Sequence, residues 1–199
     1  MKRVALCGGS GSGKGEVSAV LRSLGYPTLD SDAVSHMLTS APGPAMRALC
    51  DAFGRQIQNE DGSLNRRFMA ELVFSGEGCA ERRELLNSIL HVYVRAECTE
   101  WMNSCAKSDI RAAFIEVPLL FEAGMETDFD FIVAVIAKPA IRLKRIVARD
   151  KISEAMAKKR IASQRGDDFL RAHSDFVIEN NGDYRNLQDQ VHRMLASLS

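Results

Sequence analysis

The first sixteen residues constrain the fold of this chain more than any other stretch. An apolar run at residues 4–7 leads into a glycine-rich segment, and apolar residues then recur at helical spacing from Val17 to Leu24. Between a strand and a helix, the spacing Gly-x-x-x-x-Gly-Lys is typical of a phosphate-binding loop. Glycines let backbone N–H groups converge on an anion, and the helix N-terminus adds positive potential. The alternative is a glycine-rich turn that enters an ordinary helix.

The loop ends in two residues that depart from the usual pattern. Its predicted nucleotide-binding residues are Gly9, Ser10, Gly11, Ser12, Gly13, Lys14, Gly15 and Glu16. Lys14 supplies a mobile ammonium for the outer phosphates. The next position normally carries a Ser or Thr whose hydroxyl binds magnesium. Here Gly15 offers no ligand and Glu16 adds negative charge, so we expect nucleotide binding with weaker handling of the metal.

Three carboxylates follow predicted parallel strands. Asp30 and Asp32 come after a short strand predicted at residues 26–29, and Glu116 ends a nearly continuous apolar strand at residues 111–117. Ligands of open parallel sheets gather outside the carboxyl ends of the strands. Asp30 and Glu116 are therefore candidate metal ligands, Glu116 through water, and Asp32 is a candidate general base. Helix capping is the alternative for the two aspartates.

The length and charge fit one α/β core with an inserted subdomain. The 199 residues include 26 basic and 26 acidic side chains, so no net charge draws the chain to nucleic acid or to an anionic membrane. No apolar run approaches the length of a membrane span. The five cysteines form no C-x-x-C pair, which favours reduced thiols in the cytoplasm over a disulfide framework or a zinc site.

Residues 36–108 show helical signals and no strand signal. We interpret them as a helical subdomain inserted between the second and third strands. Its Arg66 and His91 could hold a phosphate group of a second substrate. The alternatives are a solvent-exposed arginine and a structural histidine.

Residues 138–165 carry ten basic and two acidic side chains. Arg142, Arg145 and Arg149 recur at i, i+3 and i+7, which places them on one face of a helix. We interpret the segment as a helical lid that closes over a triphosphate. A solvated basic surface or a nucleic-acid patch is the alternative, although no aromatic side chains are interleaved for base stacking.

The predicted fold class is α/β, a three-layer P-loop kinase fold with about five parallel strands, an inserted helical subdomain and a helical lid. Two further strands are predicted at residues 131–136 and 174–178, and Asp183 is expected to cap a final helix. The predicted domains are a nucleotide-binding core at residues 1–35, 109–137 and 166–199, a helical acceptor subdomain at 36–108, and the basic lid at 138–165.

The sequence resembles the dephospho-coenzyme A kinase family nearly from end to end. Beyond the phosphate loop, the most specific matching runs are Leu29-Asp30-Ser31-Asp32, Val117-Pro118-Leu119-Leu120-Phe121-Glu122 and Asp175-Phe176-Val177-Ile178-Glu179-Asn180-Asn181-Gly182. Further matches are Asp61-Gly62-Ser63-Leu64-Asn65-Arg66, Ile89-Leu90-His91, Arg145, Arg149-Asp150 and Gln164.

The resemblance implies transfer of the γ-phosphoryl group of ATP to the 3′-hydroxyl of dephospho-coenzyme A, with Mg²⁺ as cofactor. By position, Asp32 would accept the hydroxyl proton, Lys14 would bind phosphates and Arg145 would stabilise the transferring charge. Arg149 and Asn180 would bind the nucleotide. The residues that would line the acceptor side are Asp32, Arg66, His91, Leu119 and Glu122.

The sequence departs from the family pattern in three ways. Gly15 and Glu16 replace hydroxyl residues, Glu116 stands where the family usually has aspartate, and Val92 replaces a proline. The first departure favours one alternative function, a nucleotide- or coenzyme-binding protein with impaired turnover. A kinase for another nucleoside or nucleotide is the other alternative.

Overall fold

The computed structural model describes residues 1–198, and a parallel sheet of five strands lies at its centre. The strands are β1 Lys2–Cys7, β2 Thr28–Asp30, β3 Ala112–Glu116, β4 Phe131–Ile136 and β5 Phe176–Glu179. Their spatial order is β2-β3-β1-β4-β5, and every pair of neighbours is parallel. The central strand β1 therefore delivers the phosphate loop to the middle of the carboxyl edge. The predicted parallel sheet is confirmed.

Helices follow the strands and fill the interval between β2 and β3. In chain order they are α1 Lys14–Ser23, α2 Ser31–Leu38, α3 Pro44–Phe53, α4 Arg66–Phe74, α5 Cys79–Cys105, α6 Pro139–Asp150, α7 Glu154–Ala162, α8 Asp167–Ala172 and α9 Tyr184–Ser197. Short 3₁₀ turns lie at Arg55–Ile57 and Glu126–Asp128. The predicted cap of the last helix is confirmed, because the Asp183 side chain accepts from the N–H groups of Arg185 and Asn186. No helix within residues 1–198 is long and apolar enough to cross a bilayer.

Both faces of the sheet are covered, which explains the nearly continuous apolar strands. Alternate strand residues such as Val4 and Leu6 pack with Leu21 of α1 and Val191 of α9 in one buried cluster. The intervening residues, such as Ala5 of β1, are equally buried and face the other side. The phosphate loop thus starts from a strand that is fixed by packing on two sides.

Two strands begin later in the chain than predicted. The strand expected at residues 26–29 lies at Thr28–Asp30, because the Tyr26 N–H bonds back to the carbonyl of Leu21 and closes the end of α1. The last strand starts at Phe176 instead of residue 174. There the Asp175 carboxylate accepts from the Ile132 N–H, so a side chain makes the bond that a strand carbonyl would otherwise make.

The chain forms two compact units. One contains the sheet and comprises Met1–Asp30 and the chain from Met102 onward, and the other is Ser31–Trp101. The second unit has its own apolar core, which includes Met46, Leu49 and Ile57. Its helices are inserted between β2 and β3 as expected. The assignment of these units to nucleotide, acceptor and lid roles remains a prediction.

Candidate functional site

The phosphate loop occupies the turn between the end of β1 at Cys7 and the start of α1 at Lys14. Gly13 precedes the helix with a φ of 91°, and a Cβ there would lie 2.0 Å from Asn180 Nδ2. Only glycine fits this position, since it tolerates the left-handed conformation and leaves room for the close approach. The first N–H groups of α1 have no acceptor within the helix, so they form a site for an anion.

Lys14 turns its side chain back over the loop. Its Nζ donates to the Gly8 carbonyl at 2.7 Å, and this bond holds the ammonium above the loop backbone. Gly15 follows on the exposed side of the helix, where an added Cβ would meet no atom within 4 Å. The position therefore has space for the hydroxyl that the usual motif carries, although this chain lacks it.

Arg145 of α6 reaches the loop from the other side. Its Nη1 donates to the carbonyls of Gly11 and Ser12, each at 3.3 Å, and to the Asn180 carbonyl at 3.2 Å. Its Nη2 donates to Asn180 Oδ1 at 3.2 Å. The guanidinium is thus fixed beside the phosphate loop, next to the amide of a residue that follows β5. The structure brings together these two residues, which the sequence placed on the nucleotide side.

Glu16 takes part in the same contacts, which was not predicted. Its carboxylate lies 3.5 Å from Arg145 Nη2 and accepts from Asn180 Nδ2 at 2.8 Å. The pair is partly exposed, since about half of the Glu16 side chain is accessible. Ion pairs of this kind contribute at most about 1 kcal/mol, so nucleotide phosphates can compete with Glu16 for Arg145. We call Glu16, Arg145 and Asn180 the acid–arginine cluster.

A cleft of about 630 Å³ opens beside this cluster. Its lining residues are Gly11, Gly13, Gly15, Glu16, Arg145, Ala148 and Arg149. Arg149 also forms an ion pair with Asp150 at 2.7 Å, and most of the Arg149 side chain is exposed. The cleft has the volume of a small-molecule site and carries two arginines for an anionic ligand.

Asp30 and Glu116 lie side by side at the carboxyl edge of the sheet, where they are partners in the β2–β3 register. Burial raises the pKa of Glu116, and the charge of Asp30 adds to that rise. The Ser18 hydroxyl and the charges of Lys14 and Arg22 act in the opposite direction. Two neighbouring carboxylates near the phosphate loop are ligands that Mg²⁺ accepts, with water completing its shell. Within residues 1–198, no group of three acidic, histidine or cysteine side chains converges as a metal site.

Three acceptor-side candidates lie in the helical unit. Asp32 is the second residue of α2, which begins at Ser31, so Asp32 lies inside the first turn and not at the N-cap. Arg66 is an exposed residue, and its guanidinium donates to Thr39 Oγ1 at 2.8 Å. His91 is half-buried in α5, and burial lowers its pKa, so it stays neutral more readily.

The other two candidates follow β3 in the unit that contains the sheet. Leu119 is exposed at 42% of its surface, which is unusual for leucine. Glu122 accepts from the Arg165 N–H at 3.4 Å, so this stretch contacts the end of the basic segment. Phe121 packs edge-on against Phe169 of α8 at 5.2 Å between ring centroids.

The three arginines that share one predicted face of α6 differ in the structure. Arg142 is buried, with 4% of its surface accessible, whereas Arg149 is largely exposed. Arg142 therefore cannot act as a lid cation that swings onto a triphosphate, because its guanidinium is already engaged beneath the phosphate loop. The expectation of a uniform cationic face was wrong at this residue. Gln164 contacts the same loop. It is one of the residues that match the family, but the sequence predicted no role for it.

Comparisons with known proteins indicate the family of this chain. Residues 2–186 match the sequence model of the CoaE family, described as dephospho-CoA kinase. The chain is 35% identical over 198 residues to the dephospho-CoA kinase of Corynebacterium efficiens, covering 100% of this chain and 98% of that protein. A crystal structure of a Thermus thermophilus protein has a TM-score of 0.77 at 30% identity, covering 100% of this chain and 98% of the other.

A dephospho-CoA kinase from Campylobacter jejuni has a TM-score of 0.72 and 24% identity, with 99% of this chain and 96% of that chain covered. At that identity the likeness shows the shared P-loop kinase fold. The family model and the Corynebacterium relative both extend over nearly the whole chain. This chain belongs to the dephospho-CoA kinase family.

Proposed function

We propose that this chain transfers the γ-phosphoryl group of ATP to the 3′-hydroxyl of dephospho-coenzyme A, which yields coenzyme A and ADP. The observation that carries the proposal is the similarity to dephospho-CoA kinases over nearly the full length of the chain. The phosphate loop with Arg145 at its side supports it independently, because phosphoryl transfer depends on positioning and on cations around the phosphates. None of the five cysteines, all within residues 1–198, forms a disulfide, which fits a reducing compartment, so we place the reaction in the cytoplasm.

The proposed roles follow from the chemistry of each group. The loop residues 9–16 and the first N–H groups of α1 bind the phosphates. Lys14 binds the outer phosphates. Arg145 stabilises the charge that develops on the transferring group. Arg149 and Asn180 bind the rest of the nucleotide.

On the acceptor side, Asp32 accepts the proton of the attacking hydroxyl. The further residues that we propose to bind dephospho-coenzyme A are Arg66, His91, Leu119 and Glu122. The guanidinium of Arg66 would pair with a phosphate of the acceptor.

We propose Mg²⁺ as the cofactor. Asp30 and Glu116 would bind it through water molecules. Bound Mg²⁺ supplies positive charge to the phosphates during transfer. Burial is the main cause of the raised pKa of Glu116, and the charge of Asp30 adds to it; a bound cation would favour the ionised carboxylate.

A coupled assay tests the function directly. The chain, ATP and MgCl₂ are combined with dephospho-coenzyme A, and ADP and coenzyme A are quantified together. We expect the two products in equal amounts, with ADP formation near background when the acceptor is omitted. A panel of nucleosides and nucleotides as acceptors tests the alternative kinase. If ATP and dephospho-coenzyme A bind but no ADP forms, the chain is a binding protein with impaired turnover, the alternative suggested by Gly15 and Glu16 in place of the loop hydroxyls.

The missing hydroxyl at Gly15 leads to a prediction about metal use. We expect Gly15→Ser to lower the Mg²⁺ concentration for half-maximal turnover by about threefold to tenfold, because the new oxygen replaces one water of a Mg²⁺ shell. The substitution fits, since a Cβ at this position meets no atom within 4 Å. The measurement is turnover against MgCl₂ concentration at saturating ATP.

Gly15→Ala is the matched control, because it changes the backbone propensity of α1 in the same way but adds no oxygen. A shift of equal size in both variants would assign the effect to the helix and would contradict the metal explanation. If the Mg²⁺ concentration for half-maximal turnover is unchanged in both variants, the chain does not need the hydroxyl to bind the metal.

A further inference from the structure

Two side chains of the basic segment hold the tip of the phosphate loop. Gln164 Oε1 accepts from the Ser10 N–H at 2.8 Å, and Arg142 Nε donates to the Ser10 carbonyl at 3.0 Å. Arg142 Nη2 also donates to Gln164 Oε1 at 3.3 Å, so the two side chains support each other. Both backbone polar groups of Ser10 are therefore bonded to side chains that lie more than 130 residues away in sequence. We call Ser10, Arg142 and Gln164 the loop clamp.

Arg142 makes this contact from a buried position. Its side chain is 5% accessible, and desolvation lowers the pKa of its guanidinium. A buried charge is costly unless it is paired and hydrogen-bonded. Asp167 of α8 supplies the counter-charge at 3.4 Å, and Nε and Nη2 of Arg142 donate to Ser10 and Gln164. Arg142 thus has fixed partners and is not available to bind ATP itself.

The phosphate loop also packs directly against α6. A Cβ at Gly9 would lie 2.0 Å from Arg142 Nη2, and a Cβ at Gly11 would lie 2.7 Å from the Arg142 carbonyl. Neither position has room for a side chain without movement of the clamp or of the helix backbone. The glycines of the loop therefore permit contact with α6 as well as with an anion.

We propose that Arg142 and Gln164 are positioning residues that fix the phosphate loop in its binding conformation before the nucleotide arrives. By bonding both sides of Ser10, they orient the neighbouring peptide groups, whose N–H groups then meet the phosphates without rearrangement. Donors that are fixed in advance bind and stabilise charge more effectively than donors that must reorganise. This inference rests on the proposed binding of ATP at the loop.

The loop clamp also limits which residues of the basic segment can move as a lid. Arg142 lies in the first half of α6 and Gln164 lies just after α7, so both ends of the basic segment are attached to the phosphate loop. A closing movement is then confined to the residues between them, mainly α7, in which Ala157 is buried and Met156 is 57% exposed.

Calorimetric titration with ATP tests the proposal without any acceptor. We expect Gln164→Met to raise the Kd for ATP about fivefold to tenfold, the effect of losing one hydrogen bond that orders the loop. Gln164→Glu keeps the acceptor oxygen and should stay within about threefold of the unchanged chain. In turnover, Gln164→Met should lower kcat/KM for ATP and leave the KM for the acceptor unchanged.

Gln58→Met is the matched control, because it also removes a hydrogen bond between a glutamine side chain and the backbone, but in the helical unit. There Gln58 Nε2 donates to the Gly62 carbonyl at 2.9 Å. Its Kd for ATP should equal that of the unchanged chain. If Gln164→Met binds ATP within twofold of the unchanged chain, the proposal is overturned, even if its melting temperature falls. Should Gln164→Met not fold, Arg142→Lys decides in the same way, since lysine keeps the charge but cannot reach both partners. If the clamp variants weaken ATP binding but dephospho-coenzyme A is not phosphorylated, only the proposed function fails.

Discussion

Replacing Arg145 by alanine is expected to lower turnover about 10²- to 10³-fold, the usual effect of removing one fixed group that stabilises transition-state charge. The guanidinium is held beside the loop by the carbonyls of Gly11, Ser12 and Asn180, so it needs no rearrangement during transfer. Turnover and the Kd for ATP are measured together. We expect the larger loss in turnover, because a positioned cation interacts most strongly with the charge that develops in the transition state.

Lys144→Ala is the matched control for this experiment. Lys144 is the preceding residue of the same helix and is exposed, so the substitution removes one positive charge without changing a contact to the loop. It should leave turnover nearly unchanged. Arg145→Lys keeps the charge but loses the forked geometry, and an intermediate rate is expected. Turnover of Arg145→Ala within threefold of the unchanged chain would refute the assigned role.

The prediction for Arg145 has a second consequence through Glu16. In the structure the Glu16 carboxylate occupies the donors that we assign to the nucleotide. The acid–arginine cluster can therefore hold Arg145 in place before ATP binds and release it when phosphates compete. Because the pair is partly exposed, the cost of this exchange is about 1 kcal/mol or less.

The elements that the sequence predicted are those determined by local pattern. The sheet followed from apolar runs that need burial on two faces, and the phosphate loop followed from glycine spacing between a strand and a helix. The cap at Asp183 followed from the residue type alone. In each case the signal is a pattern of residue types within one short stretch of the chain, so a single sequence is enough to identify it.

The contacts that were missed join residues that are distant in sequence. Arg142, Gln164 and Asn180 reach the phosphate loop because β4 and β5 lie on the side of β1 away from β3, and α6 follows β4. The sequence of α6 shows three similar arginines, and only the strand order decides which is buried under the loop and which faces solvent. For Glu16 the local signal was misleading, because a carboxylate in a phosphate loop suggests repulsion until its partner Arg145 is seen.

For Asp32, we expect the change to asparagine to lower turnover about 10²- to 10⁴-fold, as removal of a general base does. Asparagine preserves the size of the side chain but cannot accept the proton of the 3′-hydroxyl. The helix starts at Ser31, so the substitution leaves the N-cap position unaltered. Turnover, the KM for each substrate and the melting temperature are measured on the same preparation.

Asp168→Asn is the matched control for Asp32, because Asp168 is also an exposed aspartate at the second position of a helix, α8. Both changes remove a favourable carboxylate–dipole interaction of about 0.3–1 kcal/mol, so both should lower the melting temperature slightly. Only Asp32→Asn should also lose turnover, with ATP binding unchanged. If the two variants lose equal stability and both retain turnover, the Asp32 carboxylate serves the helix and the base must be sought in another residue.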